Sequence, residues 1–275
     1  MSRLAFAIVT DDADRLWVDA MPEAYERWLA PAVFRPFALD AARRVAATGP
    51  RRVLELAAGT GVLTRELVAA AASAEVTATD LNDAMVDFGR RHVPGAVWRQ
   101  ADAMDLPFDD AEYDVVVCQF GAMFFPDKPS AFAEARRVLT RAGTLILSTW
   151  ATLDTHEFQA ALVAALERAF PDDPPTFMAS VPHGYADVEL VRADLGAGGF
   201  DRVTVESVTL EGRAQSAADV ATGYCAGTPV RAEIEARGDL ASTTAFVAEQ
   251  MERRLGPDEV KGMMTAHVFQ ATVAP

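Results

Sequence analysis

Between residues 52 and 150 the chain alternates short apolar runs with stretches in which apolar side chains recur every three or four positions. The short runs predict strands that are buried on both faces. The periodic stretches between them predict amphipathic helices. Strands and helices that alternate in this way predict an α/β fold, a parallel sheet with helices on both faces. The predicted strands cover residues 52–56, 75–79, 97–101, 113–120 and 144–150, and two more cover 202–210 and 266–273.

The segments outside this alternation favour helices and loops. Residues 12–47 have a helical pattern, which we expect Pro31 and Pro36 to break into short pieces. Residues 151–185 combine an amphipathic helix with a proline-rich loop, and residues 211–265 are mostly helical. We expect a single domain over residues 1–275, in which 12–47 forms a helical lid and the other two segments are insertions on the substrate side.

Composition and charge narrow the range of partners. The net charge is −15, from 25 basic and 40 acidic residues, and such a surface repels phosphate backbones and anionic lipids. The chain has no apolar run of about 20 residues, and acidic residues at 11, 12 and 14 interrupt any secretory signal pattern. Cys118 and Cys225 lie far apart and are expected to be reduced. We therefore expect a cytoplasmic monomer or homodimer that binds neither nucleic acid nor membranes.

A turn of small residues, 57–61, follows the first predicted strand, and Thr60 stands where the next helix needs its N-cap. A strand, turn and helix in this order offer backbone N–H groups to a ligand at the carboxyl edge of a sheet. Asp80 and Asp102 end the next two predicted strands at the same edge. A carboxylate about 20 residues after such a turn suits the hydroxyls of a ribose. The second carboxylate suits an exocyclic amine such as that of adenine.

A dinucleotide is the competing ligand for this turn. Its G-x-G-x-x-G fingerprint places a pyrophosphate on the helix N-terminus, but the three glycine positions here hold Ala57, Gly59 and Val62. Glu55, at the strand end, would face a pyrophosphate badly and could instead help to hold a cation. The chain also lacks a Tyr-x-x-x-Lys pair after the fifth predicted strand. A nicotinamide-dependent oxidoreductase is therefore the alternative hypothesis, and a protein that binds its cofactor without catalysis is another.

The chain resembles class I S-adenosylmethionine-dependent methyltransferases, in the branch that includes ubiquinone and menaquinone biosynthesis enzymes. Motif I of that family, an acidic residue followed by x-G-x-G-x-G, is matched by Leu-Glu-Leu-Ala-Ala-Gly-Thr-Gly at 54–61, with Ala57 in place of the first glycine. Its g-D-a-x-x-L-P-F segment is matched by Gln-Ala-Asp-Ala-Met-Asp-Leu-Pro-Phe at 100–108. Residues 113–116 and 134–145 fit the same branch. The resemblance implies a Rossmann-like, seven-stranded, mostly parallel sheet whose last strand is antiparallel.

The resemblance also implies S-adenosylmethionine as the cofactor and assigns residues to it. The transfer needs no metal, and the histidines and cysteines show no spacing typical of metal ligands. The implied contacts are Glu55, Ala57, Gly59, Thr60 and Gly61 for the methionine portion, Asp80 for the ribose, Leu81, Met85, Asp102 and Ala103 for adenine, and Gln119 and Phe120 for the sulfonium and its methyl group.

The methyl acceptor is predicted to be a small apolar or aromatic molecule, because an apolar cluster at 123–125 directly follows the fourth predicted strand. Methylation on oxygen, nitrogen and carbon all stay open. Core packing is the alternative role for the aromatic residues concerned. The candidate acceptor contacts are Tyr25, Trp28, Met123, Phe124 and Tyr185.

A hydroxyl or carbon acceptor needs a base to remove its proton. His183 is the first candidate, because it lies in a loop bounded by proline and glycine after the fifth predicted strand. His156 is the second candidate. For each of them, a loop histidine exposed to solvent is the alternative interpretation.

Overall fold

The computed structural model describes residues 21–273, and the strands of this part form one seven-stranded sheet. They are β1 (Arg52–Leu56), β2 (Glu75–Asp80), β3 (Val97–Gln100), β4 (Tyr113–Gln119), β5 (Leu139–Trp150), β6 (Arg202–Ala214) and β7 (Val260–Thr272). Their order across the sheet is β3-β2-β1-β4-β5-β7-β6. Strands β1 to β5 pair in parallel, and β7 runs antiparallel to β5. The predicted mostly parallel sheet with an antiparallel last strand is confirmed.

The strand order reverses at β1, which lies between β2 and β4. Glu55 of β1 is level with Ala78 of β2 on one side and with Val117 of β4 on the other. Because the three strands are parallel, their carboxyl ends meet at one edge of the sheet. This is the switch point at which ligands bind in open α/β sheets.

Helices connect the strands and form most of the remaining chain. A helical segment from Met21 to Ala47 comprises α1 (Met21–Ala24), a π-helical stretch (Tyr25–Phe34) and α2 (Arg35–Ala47). The helices that follow are α3 (Val62–Ala70), α4 (Asp83–His92), α5 (Lys128–Val138), α6 (Glu157–Ala169), α7 (Phe177–Ser180), α8 (Val188–Ala197), α9 (Ala217–Gly227), α10 (Val230–Glu235) and α11 (Leu240–Leu255). None of the helices within residues 21–273 combines the length and the apolarity needed to cross a membrane.

The described residues divide into two compact units. The sheet unit contains residues 37–150, 185–208 and 266–273, and the helix-rich unit contains residues 21–36, 151–184 and 209–265. Nothing in the sequence pattern indicates this division, because each unit is assembled from separate segments. The predicted lid and insertions, 12–47, 151–185 and 211–265, supply most of the helix-rich unit, and residues 12–20 of that lid lie outside the described part.

The expected break at Pro31 and Pro36 is wrong, since helical backbone continues from Met21 to Ala47. The helix changes type instead, and Pro31 lies inside the π-helical stretch. The amide of Arg35 donates to the carbonyl of Ala30, five residues earlier, which is the bond of a π-helix. The wider turn of the π-helix accommodates Pro31, which has no backbone N–H to donate.

Other boundaries also differ from the prediction. Strand β5 begins at Leu139 rather than at residue 144. Strand β6 ends at Ala214 rather than at residue 210, and β7 begins at Val260 rather than at residue 266. Helix α3 has Gly61, not Thr60, as its N-cap residue. Gly61 has a φ of +90°, a left-handed conformation that glycine adopts without strain.

Trp98 of β3 packs against two glycines that flank the expected ligand edge. A Cβ at Gly61 would lie 3.0 Å from its ring, and one at Gly89 of α4 would lie 2.2 Å from it. The ring nitrogen donates to the carbonyl of Val93 at 3.1 Å. The small size of Gly89 therefore lets the indole fill the space between α4 and the sheet.

We expect Gly89→Ala to lower the free energy of unfolding by about 2 kcal/mol or more, because the new methyl group would overlap the Trp98 ring. Gly196→Ala is the matched control, since Gly196 also lies inside a helix and a Cβ there meets nothing within 4 Å. The control should be neutral or gain up to about 1 kcal/mol. Urea unfolding followed by circular dichroism measures both, and equal stabilities would contradict this packing.

Candidate active site

The turn after β1 has a backbone conformation that few residues tolerate. Ala57, Gly59 and Gly61 have φ values of +52°, +57° and +90°. A left-handed φ costs alanine about 1 kcal/mol and costs glycine almost nothing. The chain thus keeps the turn although Ala57 stands in place of the first motif glycine. A Cβ at Gly59 would meet no atom within 4 Å, so this side of the turn is open.

The carboxylate of Asp80, at the end of β2, holds the turn in place. The amide of Gly59 donates to its Oδ2 at 2.8 Å, and the amide of Asn82 donates to its Oδ1 at 2.9 Å. The amide of Ala58 donates to the carbonyl of Thr79 at 2.9 Å. The residue predicted to bind the ribose therefore also joins the end of β2 to the turn after β1.

Glu55 is buried inside the same edge, with 2% of its surface exposed. The hydroxyl of Thr64 on α3 donates to its Oε2 at 2.6 Å. Burial raises the pKa of the Glu55 carboxyl to about 8, the Thr64 hydrogen bond opposes the rise, and the negative charge of Asp80 adds to it. Such a carboxyl is largely uncharged near neutral pH and ionises when a cation comes close.

The predicted adenine contacts follow β2 and β3. Asp102 closes a tight turn in which its Oδ1 accepts the amide of Met104 at 2.8 Å, and Ala103 lies inside that turn. Leu81 is 39% exposed, whereas Met85 of α4 is buried. Leu81 therefore offers free apolar surface to a planar ring, and Met85 lies in the core.

Strand β4 ends with a buried acceptor. The side-chain oxygen Oε1 of Gln119 is buried and has no hydrogen-bond partner among residues 21–273. A Cβ at Gly121 would lie 2.4 Å from the Cβ of Ala57. The turns after β4 and β1 therefore touch, and only glycine at 121 permits this approach.

Phe120, predicted to face the methyl group, has a strained backbone with a φ of +55°. Its amide donates to the carbonyl of Ser148 at 3.0 Å. Its ring stacks on Trp150 with centroids 3.5 Å apart and meets Phe37 edge-on at 5.5 Å. The ring is thus part of an aromatic cluster within the sheet unit.

The strand ends together present acceptors and negative charge without a cation. Asp80 and Asp102 contribute carboxylates, Glu55 contributes a carboxyl that ionises beside a cation, and Gln119 contributes an amide oxygen. Residues 53–61, 80–82, 101–105 and 119–123 contain no lysine or arginine. A pyrophosphate is bound by amide donors and cations. S-adenosylmethionine carries an ammonium group, a sulfonium, ribose hydroxyls and an adenine amine, and these residues fit it. When bound, it supplies an electrophilic methyl group.

Comparison with known proteins decides the family. A family model described as a methyltransferase domain matches residues 54–147. The ubiquinone/menaquinone biosynthesis C-methyltransferase UbiE of Ectopseudomonas mendocina is 32% identical over 174 residues, which cover 58% of this chain and 68% of that protein. The chain belongs to the class I S-adenosylmethionine-dependent methyltransferases, in their UbiE-like branch. Its cofactor is S-adenosylmethionine.

Other relatives agree with this family. Demethylmenaquinone methyltransferase of Deinococcus radiodurans is 37% identical over 125 residues, and the match covers 44% of this chain and 52% of the relative. The chain thus spans about half the length of that protein.

Phosphoethanolamine N-methyltransferase 2 of Haemonchus contortus, solved with S-adenosylmethionine, aligns with a TM-score of 0.60 at 15% identity over 94% of this chain and 58% of that one. The YcgJ protein of Bacillus subtilis aligns with a TM-score of 0.52 at 17% identity over 86% and 99% of the two chains. These structures confirm the Rossmann-like fold.

Three predicted acceptor contacts of this methyltransferase lie in the sheet unit. Met123 is buried and Phe124 is half-buried in the short 3-10 helix Ala122–Phe124. Tyr185 is also buried, and its hydroxyl donates to Asp194 Oδ2 at 2.7 Å, so that burial and this carboxylate raise its pKa well above the usual range. The ammonium of Lys128 lies 4.8 Å from the Tyr185 ring centroid. Tyr185 therefore links the start of α5 to α8.

The other two predicted acceptor contacts lie in the helix-rich unit, on the π-helical stretch. The Tyr25 ring lies 4.8 Å from that of Phe34, and the guanidinium of Arg27 lies 4.4 Å above the Trp28 ring. A Cβ at Gly223 of α9 would lie 2.9 Å from the Cβ of Trp28. The π-helical stretch therefore packs closely on α9, and both aromatic residues form part of that packing.

The two candidate bases are not solvent-exposed loop histidines, because His156 and His183 have exposed fractions of 0% and 7%. Their rings lie 4.6 Å apart in the helix-rich unit. Nδ1 of His183 lies 2.7 Å from the carbonyl oxygen of Ala151. A carbonyl only accepts, so Nδ1 carries the proton and Nε2 keeps its lone pair. Nε2 is buried and has no partner among the described residues, and burial lowers the pKa of His183.

Sequence reasoning missed several residues that shape the site. Thr64 binds the Glu55 carboxyl, Asn82 caps α4 by accepting the amides of Ala84 and Met85, and Gly121 permits contact between two turns. A polar residue on the buried face of a predicted helix is a signal that could have identified Thr64. Gly121 shows no such signal, because its partner is 64 positions away in the chain.

We expect Glu55→Gln to stabilise the cofactor-free protein as the pH rises. The folded pKa of Glu55 is about 8, above the ordinary value of 4.5. The contribution of Glu55 to stability is therefore fully present below pH 4.5 and is lost as the pH rises through about 8. Glutamine stays uncharged and can still accept the Thr64 hydrogen bond. Thermal unfolding at a series of pH values should show the wild-type melting temperature falling below that of the variant by several degrees.

The same variant should bind S-adenosylmethionine roughly tenfold or more weakly, because no carboxylate can form beside the cation. Binding to the wild type should tighten as the pH approaches 8, since Glu55 releases a proton on binding. Glu75→Gln, on an exposed residue at the start of β2, is the control for both measurements. Melting curves that stay parallel for wild type and Glu55→Gln at every pH would contradict the buried acid.

Proposed function

We propose that this protein transfers the methyl group of S-adenosylmethionine to a small apolar or aromatic molecule. The observation that carries the proposal is the carboxyl edge of the sheet, where Asp80 braces the motif I turn and Glu55 is buried beside it. These groups suit a cationic cofactor with a ribose. The half-buried Phe124, which follows β4, is the first candidate for contact with the acceptor.

The relatives suggest which acceptors to test first. Several are named for demethylmenaquinone methylation or for C-methylation in ubiquinone and menaquinone biosynthesis. Another, from Halorhodospira halophila, is a malonyl-[acyl-carrier protein] O-methyltransferase, 36% identical over 118 residues that cover 41% of this chain and 39% of that protein. A reduced quinone ring with an unsubstituted position is therefore the first acceptor to assay, and an acyl carboxylate is the second.

The main contribution of the protein to this reaction is to align the reacting atoms. In-line displacement brings the nucleophile, the methyl carbon and the sulfur into one line; the new bond forms at carbon while sulfur keeps the electron pair of the broken bond. Holding reactants in such a geometry can account for much of the rate acceleration. We propose His183 as the base for an acceptor that must lose a proton, because its Nε2 lone pair is buried and available.

The proposal includes a cytoplasmic location and small-molecule partners. The net charge of −15 supports it, because a negative surface disfavours nucleic acid and anionic membranes.

Titration calorimetry and a turnover assay test the proposed function. S-adenosylmethionine and S-adenosylhomocysteine should bind, and NADPH should not, because Glu55, Asp80 and Asp102 disfavour a pyrophosphate. Methyl transfer to a reduced naphthoquinone is then followed with radiolabelled cofactor. NADPH binding alone would overturn the methyltransferase proposal, and cofactor binding without turnover on any acceptor would favour a binding protein.

His183→Asn should lower kcat by roughly 10²-fold or more on an acceptor that loses a proton. The asparagine amide can still donate to the Ala151 carbonyl, so the local structure is kept while the base is removed. The fall of the wild-type rate with decreasing pH should be centred below the ordinary histidine pKa, because burial lowers the pKa of His183. His156→Gln, which can keep the hydrogen bond to the Thr265 carbonyl, is the control. An unchanged kcat in His183→Asn would exclude His183 as the base.

A further inference from the structure

The loop between β3 and β4 carries the residues predicted to recognise adenine, and it has no regular secondary structure of its own. Residues 101–112 form turns and bends, with a single bridge between Asp102 and Asp105. A loop of this length needs other contacts to keep one conformation. These contacts come from Glu134 and Arg137 of α5, which lie 28 and 31 positions after Leu106.

The guanidinium of Arg137 on α5 donates hydrogen bonds to this loop. Nη2 donates to the carbonyl of Leu106 at 2.9 Å, and Nη1 donates to the carbonyl of Phe108 at 2.8 Å and to the carboxylate of Asp110 at 2.9 Å. Nε and Nη2 also donate to Glu134 at 2.8 and 2.7 Å. An arginine has five N–H donors in a fixed plane, and these contacts use all of them.

Glu134 completes the arrangement from one helical turn earlier. Its Oε2 accepts the amide of Leu106 at 2.8 Å, while Arg137 binds the carbonyl of the same residue. The pair therefore fixes both polar groups of Leu106, whose side chain is buried. Hydrogen bonding to Arg137 lowers the pKa of Glu134. The carboxylate therefore stays charged and continues to accept the amide of Leu106.

The backbone of the helix end holds the far side of the same loop. The amide of Ala111 donates to the carbonyl of Arg137 at 3.0 Å, and that of Glu112 donates to the carbonyl of Val138 at 2.8 Å. The loop is thus fixed to α5 from Leu106 to Glu112. Asp102 lies four residues before Leu106, within one short turn of the fixed part.

We propose that Arg137 and Glu134 are positioning residues for cofactor recognition, which hold the 102–110 loop so that Asp102 and Ala103 can read the amine edge of adenine. The inference rests on the proposed function, because it assumes that the chain binds S-adenosylmethionine. Neither side chain is proposed to touch the cofactor. A lysine at 137 could not replace the arginine, because an ammonium group has three donors and no planar fork.

The test compares two ligands that differ at one position of the purine. S-adenosylhomocysteine has the exocyclic amine, and S-inosylhomocysteine has a carbonyl in its place. The wild type should prefer the adenosyl ligand by about tenfold or more in titration calorimetry. Arg137→Gln should lose most of this preference, because the affinity for the adenosyl ligand falls about tenfold and that for the inosyl ligand changes little. Arg136→Gln, on the preceding residue of α5, should keep the wild-type ratio.

A second measurement needs no ligand. Hydrogen exchange of the amides of residues 102–106 and 108–110 should be faster in Arg137→Gln than in the wild type and unchanged in Arg136→Gln. Arg137→Lys should give the same results as Arg137→Gln in both measurements. It replaces the glutamine variant in the test if that variant does not fold.

The outcomes separate the two proposals. A wild type that binds neither ligand would overturn the proposed function and this inference with it. A wild type that discriminates between the ligands, with the same ratio in Arg137→Gln and Arg137→Lys, would overturn the positioning role alone. An equal fall in both affinities would show a merely structural arginine and would also overturn it.

Discussion

The hydrogen bond from the Gly59 amide to the Asp80 carboxylate is the contact on which the site depends. It joins the turn after β1 to the end of β2, at the point where the strand order reverses. The turn needs positive φ values at Ala57, Gly59 and Gly61, and such a backbone persists only where its surroundings fix it. Asp80 provides this support and also stands where the ribose is expected. If Asp80 binds the ribose as proposed, one carboxylate couples the shape of the turn to recognition of the cofactor.

The ends of β1 and β4 combine several features that cost stability. Glu55 is a buried acid, Gln119 has a buried acceptor without a partner in the described part of the chain, and Ala57 and Phe120 have strained backbones. Each feature reduces the stability of the cofactor-free protein. A cation beside Glu55 and a donor at Gln119 would remove part of that cost, so ligand binding and folding are linked here. Buried aliphatic residues line β1, β4 and β5 and form the core of this unit.

Much of the fold and part of the site could be predicted from local patterns. The strands predicted at 52–56 and 75–79 are observed at 52–56 and 75–80, because an apolar run between turn residues needs no remote partner to be recognised. The placement of Asp80 and Asp102 at one edge of the sheet was predictable because the carboxyl ends of parallel strands share that edge. Three features were not predictable in this way. They are the π-helical turn at Pro31, the start of β5 and the burial of His183. Each depends on neighbours that are distant in sequence, as the contact of Gly121 with Ala57 does.

The sequence by itself determined the α/β class, the small-residue turn after β1 and the acidic strand ends, and its resemblance to the methyltransferase family implied the cofactor. The first three follow from residue type and spacing along the alternating strands and helices. Only the tertiary structure decided that Asp80 braces the turn, that Glu55 has a raised pKa, and that Arg137 and Glu134 hold the loop after β3. It also decided that the histidine pair is buried and that the chain forms two units. Burial and hydrogen bonding depend on which distant residues come together, and a one-dimensional pattern does not contain that information.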